Sequence, residues 1–326
     1  MTWIVTGGAG YIGSEIAYQL LAAGKEVLVV DDLSTGAASA VPSGAKFLEI
    51  DLRDPKLRAS MPSGEKFDGV IHAAGIKYAG ESVKYPAEHY SRNAVATLDL
   101  LNLCRDLGVP KLVFSSSASV YGTPEASPVT EEAPLRPESP YGRSKVAAEW
   151  MVRDFAAAHG IHHTCLRFFN VVGIGGSGVA DTSPFNLFPN LVRAVQAHTD
   201  FELYGTDLET PDGTCIRDYI HVSDIASGHL AAITAWERGQ SLAPVYNLGL
   251  GQGISVREIL NEFERVAGSV LAVRERPQRP GDPLTVWASN ELAIRDLAWI
   301  PTAPLHEMVT SCLRPSADPP TTCTSL

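Results

Sequence analysis

An apolar run from Trp3 to Thr6 breaks into Gly7-Gly8-Ala9-Gly10-Tyr11-Ile12-Gly13, and Ile16, Leu20 and Leu21 follow at helical spacing before Gly24. Few folds use strand, glycine turn and helix in such close succession. Gly7, Gly10 and Gly13 carry the G-x-x-G-x-x-G spacing, which lets backbone N–H groups at a helix start approach a pyrophosphate. Alone, the triplet would fit any tight turn. A second buried strand, Val27 to Val30, ends in Asp31, 18 positions after Gly13. That is where a carboxylate grips the ribose hydroxyls of an adenosine. Asp31 and Asp32 together repel a 2′-phosphate, so the cofactor expected is NAD rather than NADP.

The alternation of strand and helix continues. Phe47 to Ile50 leads to Asp51 and Leu52, and Gly69 to His72 leads to Ala73-Ala74-Gly75. These are the carboxyl ends at which a doubly wound sheet binds its ligand. Asp51 suits either the adenine edge or a helix N-cap; the small residues after His72 suit close backbone approach. A helix is expected from about Asn93 to Leu107, and the strand Lys111 to Phe114 delivers Ser115-Ser116-Ser117 to the same edge. A strand from His163 to Phe168 follows a helix from Tyr141 to about His159.

That helix carries the chemistry. In Ser139-Pro140-Tyr141-Gly142-Arg143-Ser144-Lys145, the tyrosine and lysine lie one turn apart on one face. An ammonium beside a phenol favours the phenolate, making tyrosine a usable base below its free pKa of about 10. Pro140 suits the first turn, which places Tyr141 near the helix start. Tyr-x-x-x-Lys by itself is weak; with the glycine turn and a serine run at a strand end it becomes a site. One serine hydroxyl would hydrogen-bond the reacting oxygen.

After Phe169-Asn170 the pattern changes. Ile174 to Pro189 is rich in Gly, Ser, Asp and Pro, and marks entry to a smaller C-terminal α/β region. Beyond it, we expect a helix near Leu191 to His198, a strand around Phe201 to Tyr204 and a turn at Thr210 to Thr214. Arg217 to Val222 reads as one strand, then come a helix from Ser223 to Arg238, a strand at Val245 to Gly249 and a helix from Val256 to Gly268. The division expected is a dinucleotide-binding domain over 1–172, with about 217–249 packing back onto it. A substrate domain spans 173–314, and a polar, proline-rich tail, 315–326, is expected to be disordered.

With a net charge of -11, a nucleic-acid or anionic-membrane partner is not expected. No apolar run reaches 18 residues. Five cysteines, an odd number without a Cys-x-x-Cys pair, argue against a disulfide framework or a zinc site and fit a reducing cytoplasm.

Taken together, TGGAGYIGS (6–14), DDLSTG (31–36), AGIKYAGESVKYP (74–86), SSSASVYG (115–122), SPYGRSK (139–145), LRFFNVVG (166–173), DGTCIRDYIHVSDIA (212–226) and YNLG (246–249) resemble the UDP-glucose (UDP-galactose) 4-epimerases. These belong to the extended short-chain dehydrogenase/reductases. The glycine turn and SPYGRSK are shared across that superfamily, whereas AGIKYAGESVKYP and DGTCIRDYIHVSDIA are narrower. The resemblance implies a catalytic group of Ser117, Tyr141 and Lys145. It places NAD against Gly7, Gly10, Tyr11, Ile12, Gly13, Asp31, Asp32, Ser34, Asp51, Leu52, Ala73, Ala74, Lys77, Asn93 and Phe168. It places the nucleotide sugar against Lys77, Asn170, Asn186, Leu187, Tyr204, Arg217, Tyr219, Arg279, Asp282 and Val286. Two arginines in that set suit a diphosphate.

The implied reaction is 4-epimerisation of a UDP-hexose through a transient 4-keto sugar, with Tyr141 as base, in a homodimer. A modified nucleotide sugar of a specialised pathway is the alternative. A 4,6-dehydratase would need a carboxylate after Ser117, where Ala118-Ser119-Val120 stands. The chain departs from the pattern at Asp32, at 174–186 and after Trp299, where the usual tryptophan-rich end is missing. Valine at 286, where a tyrosine would confine the family to glucose and galactose, implies room for an N-acetyl group.

Overall fold

The computed structural model describes residues 2–278 and 283–314. Its centre is a seven-stranded sheet in which every neighbouring pair runs parallel. The chain enters in the middle with β1 (Thr2–Thr6), passes through α1 (Tyr11–Ala22), and moves outward to β2 (Glu26–Asp31) and β3 (Lys46–Glu49). After the short α2 (Leu57–Ser60) it crosses to the other side of β1 as β4 (Phe67–His72). Then follow the short helices α3 (Ala79–Lys84) and α4 (Pro86–His89), α5 (Ala96–Leu107), β5 (Lys111–Ser117), α6 (Pro140–His159) and β6 (His162–Phe168). This is the Rossmann-type doubly wound arrangement, and the strand order reverses between β1 and β4. Ligand crevices open above the carboxyl ends of strands at such a reversal.

The strands are buried on both faces, which explains their nearly continuous apolar runs. Along β1, Trp3 and Val5 point into a cluster with Ile16 and Leu20 of α1. Ile4, between them, points the other way, to Leu28, Val70, Leu100, Leu112 and Val152. Period-two alternation thus feeds two cores rather than one core and solvent.

The second half of the chain visits a smaller region and returns. It runs through β7 (Asn170–Val172), α7 (Leu187–Ala197), β8 (Phe201–Tyr204), β9 (Ile216–Arg217) and β10 (Tyr219–His221). Next, α8 (Val222–Glu237) lies against α1, and β11 (Val245–Leu248) pairs with β6 as the seventh strand of the sheet. The chain then leaves again through β12 (Ile254–Ser255), α9 (Val256–Ala267), β13 (Val273–Arg276), β14 (Thr285–Val286), α10 (Glu291–Leu297) and α11 (Leu305–Leu313). Phe188, Leu191, Phe201, Leu203, Tyr219, Ile259, Phe263, Met308 and Val309 form the core of this smaller region.

Several elements differ from expectation for physical reasons. The helix expected from Asn93 opens as a wide π-type turn over Tyr90–Val95 before becoming α5. The helix expected from Leu191 begins at Leu187: Pro189 falls in its first turn, where a missing N–H costs nothing. Arg217 to Val222 is not one strand. Asp218 is wholly buried and accepts hydrogen bonds from the backbone N–H groups of Leu250 (2.7 Å), Gly251 (3.1 Å) and Ala288 (3.1 Å). That demand breaks the run, sending β9 to β12 and β14 and β10 to β7. The chain end without its tryptophans still forms α11, which packs on α9 and α7. The 315–326 tail lies outside the described residues.

Candidate active site

A cleft of about 350 Å³ lies above the reversal of strand order, and its wall is shared by the glycine turn, Asp31, Asp51, Leu52, Ala73, Ala74, Tyr141, Lys145 and Phe168. The turn is held together by contacts that exclude side chains. A Cβ on Gly13 would stand 2.1 Å from the Gly7 carbonyl oxygen, and one on Gly7 would stand 2.6 Å from the Ala74 nitrogen. The loops after β1 and β4 therefore touch through bare backbone. Helix α1 starts at Gly10 with no capping side chain and no acidic residue in its first turn, so its N–H groups face the cleft unsatisfied. Such a helix start suits a phosphate.

At the far end of the cleft, the Asp31 carboxylate accepts from the N–H groups of Ala9 and Leu33, both at 2.9 Å. Burial pushes its pKa up, and those two hydrogen bonds oppose the shift. Asp32 pairs with Arg92 at 3.0 Å and accepts from Ser34. Asp51 is neither free nor a helix cap: the N-cap of α2 is Lys56, and Asp51 instead holds Arg53 through Nε (2.9 Å) and Nη2 (2.5 Å). Arg53 and Arg92, which sequence reasoning missed, thus neutralise two of the three carboxylates at this end. Asp31 is the one of the three without an arginine partner among the described residues.

The three serines at the end of β5 have separate partners. Ser115 Oγ bonds Nε2 of His229 (3.0 Å), Ser116 donates to Glu149 (2.5 Å), and Ser117 shares a hydrogen bond with Tyr141. Ser117, the last residue of β5, is the one that meets the tyrosine. Helix α6 is capped by Ser139, whose Oγ accepts from the Gly142 N–H at 3.1 Å. Gly142 lets the helix start press on the turn after Ser117, since a Cβ there would stand 2.6 Å from the Ser119 carbonyl oxygen. Tyr141 N–H donates to Ser82 Oγ at 3.1 Å. Burial raises the Tyr141 pKa, and the Ser117 hydrogen bond partly offsets that. Lys145 donates to the Ser115 carbonyl at 2.9 Å and lies 4.9 Å from the Phe114 ring centre. Burial brings its ammonium down to about 8, while Glu149 and Cys165 act in the other direction.

A buried, hydrogen-bonded tyrosine and a buried ammonium, both open to a cleft with a phosphate-ready helix start, form a proton-handling site beside a dinucleotide cradle. A family model for the NAD dependent epimerase/dehydratase family matches residues 3–249. The UDP-glucose 4-epimerase of Streptomyces lividans is 41% identical over 92% of this chain and 91% of its own length. The chain belongs to the UDP-glucose 4-epimerase family. Solved members superpose over nearly the whole length. The enzyme from Bifidobacterium longum, in complex with NAD+ and UDP, has a TM-score of 0.87 at 37% identity, covering 96% of this chain and 97% of that one. The UDP-Glc/GlcNAc 4-epimerase of Campylobacter jejuni has a TM-score of 0.84 at 36% identity, covering 96% and 98%.

In this member of the family, the other residues singled out by sequence are distributed as follows. Tyr11 and Ile12 begin α1, and the Tyr11 hydroxyl donates to the Gly173 carbonyl at 2.6 Å. Lys77 reaches the cleft but is paired with Asp181 at 2.9 Å. Asn186 precedes Leu187 at the start of α7, and its amide donates to the other Asp181 oxygen at 2.7 Å. Asn93 does not line the cleft. Its amide brackets Ile76 on both sides and reaches Ser144 at 3.0 Å, fixing the loop after β4 to α6. Asn170 donates to the Asp218 carbonyl (2.9 Å), and the Tyr204 hydroxyl to Glu202 (2.8 Å). Tyr219 is buried against Phe188. Arg217 makes no ion pair among the described residues; its Nη1 donates to the carbonyls of Ile216 (2.9 Å) and Leu284 (3.3 Å). Val286 is packed with Val120, Tyr121, Val146 and Phe169, against Ala118. Arg279 and Asp282 lie outside the described residues.

Asp181 is the residue that pattern reading could not find, since it sits in the aperiodic stretch after Ile174. Residues 179–182 line the cleft, and the same stretch is anchored on α1 where the Ser177 N–H donates to buried Glu15 at 2.8 Å.

Proposed function

We propose that the protein is an NAD-dependent UDP-hexose 4-epimerase that interconverts UDP-glucose and UDP-galactose. The observation that carries this is the opening of Tyr141, with Ser117 on its hydroxyl and Lys145 one turn below, into the cleft of the glycine turn. Tyr141 takes the proton from the C4 hydroxyl and later returns it. Ser117 hydrogen-bonds the same oxygen, and Lys145 favours the phenolate. NAD held in the cleft would accept the C4 hydride and give it back. Arg217, which makes no ion pair among the described residues, binds the diphosphate. Strong hold on the nucleotide leaves the sugar loosely held and free to present either face.

Purified protein should carry NAD without any being added, because the reaction returns its cofactor unchanged. Denaturation and analysis of the released nucleotide, beside a UDP-galactose conversion assay without added cofactor, tests both points. Release of NADP, or conversion only with added NADPH, would overturn the assignment. The chain also exposes Val95 and Leu98 near α5 and Trp150 on α6, two helices packed side by side. We assign this face to a homodimer; light scattering on the same preparation should give twice the chain mass. Free cysteines at 104, 165, 215 and 312 suit a cytoplasmic enzyme.

Substrate width rests on Val286. Turnover of UDP-N-acetylglucosamine alongside UDP-glucose is expected, and Val286→Tyr should remove it selectively, because a clash excludes the larger sugar first. Since Val286 is packed in an apolar cluster, activity on UDP-galactose is the internal control. Equal loss on both sugars would show overpacking, and wild-type inactivity on the N-acetyl sugar would refute the reading.

A further inference from the structure

Behind the catalytic helix lies a buried ion pair that the reaction as described leaves unused. Glu149 stands one helical turn after Lys145, and its carboxylate takes Arg167 of β6 through Nε (2.9 Å) and Nη2 (2.6 Å). Both side chains are nearly sealed from solvent, at 8% and 6% exposure. Glu149 also accepts from Ser116, the neighbour of Ser117. Arg167 continues to the Tyr121 hydroxyl (2.9 Å), which donates to Asn247 of β11 (2.7 Å). A buried pair of this kind is weak evidence for stability, because desolvation offsets most of its attraction. Its position calls for another account.

Lys145 is a buried cation that, among the described residues, donates to the Ser115 carbonyl. The groups facing it can be taken element by element. On β4, His72 is bonded to Thr6 and Thr97 and held neutral by burial, its pKa down to about 3. On β6, burial drives the Cys165 thiol well up, so it is neutral too. Farther back, burial pushes Tyr121 up to about 12 and raises Glu131, while Arg167 is committed to Glu149. On α6 itself, Tyr141 is protonated at rest. Among the described residues, Glu149 is the one anion that acts on the ammonium.

We propose that Glu149 is an electrostatic positioning residue for the Tyr141–Lys145 pair: its carboxylate keeps Lys145 charged inside the protein, and Arg167 and Ser116 hold that carboxylate in place. It touches no substrate and acts through Lys145. This rests on Tyr141 as the base, and the test separates the two ideas.

Glu149→Gln keeps shape and can still accept from Ser116 and Arg167, but removes the charge. Lys145 then loses its proton at lower pH, so the alkaline limb of the pH–rate profile moves acidward. The acid limb, set by burial and the Ser117 hydrogen bond of Tyr141, stays in place. A shift of about one pH unit in the alkaline limb is expected. A role that is only structural lowers the amplitude and leaves the limbs in place. Glu149→Gln leaves Arg167 without a counter-charge and can fail to fold. The double variant Glu149→Gln/Arg167→Gln carries no unpaired buried charge and should show the same acidward shift. Nuclear magnetic resonance titration of the Lys145 ammonium, assigned against Lys145→Arg, reads the same shift without turnover. A shifted Lys145 titration supports the proposal even if UDP-hexoses prove not to be substrates. An unmoved alkaline limb together with an unmoved Lys145 titration in the folded variants would overturn it.

Discussion

Tyr141→Phe should cut turnover by about 10²–10⁴, the usual contribution of a general acid–base group. NAD content and melting temperature should be close to those of the parent. The separation is what makes the result informative. The Tyr141 backbone N–H, not its hydroxyl, holds the helix start to Ser82, and Ser139 caps the helix through Gly142. Phenylalanine keeps the ring, so His89 and the wall of the cleft retain their contact. What is lost is the hydroxyl and its hydrogen bond to Ser117. The sign of the pH dependence follows from the same environment. Burial raises the Tyr141 pKa, so the base form is scarce at neutral pH, and activity should climb with pH until Lys145, at about 8, begins to lose its proton. A variant that keeps more than about a tenth of the parent turnover would show that another group moves the proton.

Gly13→Ala should cost the protein its cofactor. One methyl group is enough because it would lie 2.1 Å from the Gly7 carbonyl oxygen and 3.0 Å from the Gly8 Cα, both rigid backbone atoms. Relief requires the turn to move away from the helix start, and Gly7 is already pressed against Ala74. Overpacking of this kind costs about 1–3 kcal/mol. If that strain falls on the bound state, NAD affinity drops about five- to 150-fold. Gel filtration of the Gly13→Ala protein followed by nucleotide analysis measures the effect. Full cofactor retention would mean that the turn does not form the cradle. Tyr141→Phe and Gly13→Ala therefore dissect the site along different lines, one removing chemistry with the cofactor in place and the other removing the cofactor itself.

The sheet was legible because its strands are short apolar runs punctuated by glycine or polar residues, and Gly13, Asp31 and the Tyr141–Lys145 spacing are local patterns. What stayed hidden depends on contacts between distant positions. Nothing near Arg92 in sequence points to Asp32, 60 positions away, yet that pair neutralises one of the two adjacent carboxylates at the end of β2. Lys77 and Asp181 meet across 104 positions. Nothing in the sequence joins Glu149 to Arg167, 18 positions away, until the fold buries both. Asp218 breaks a run that looked like one strand because three N–H groups from two other segments converge on it. Even the Tyr141–Lys145 pair was only partly readable: Lys145 donates to the Ser115 carbonyl, and the Tyr141 hydroxyl meets Ser117.

The return of the chain at β11 has a consequence for anyone who would recombine this scaffold. The outer edge of β6 is covered by residues 245–248, and α8, which packs on α1, arrives just before them. A fragment ending after β6 would present an open parallel edge with apolar faces on both sides, a template for intermolecular pairing. Grafting a new sugar-binding region onto this cofactor sheet therefore cannot be done at a single junction. The exchange needs three, one after β7, one before β10 and one after β11, with β10, α8 and β11 left as property of the recipient.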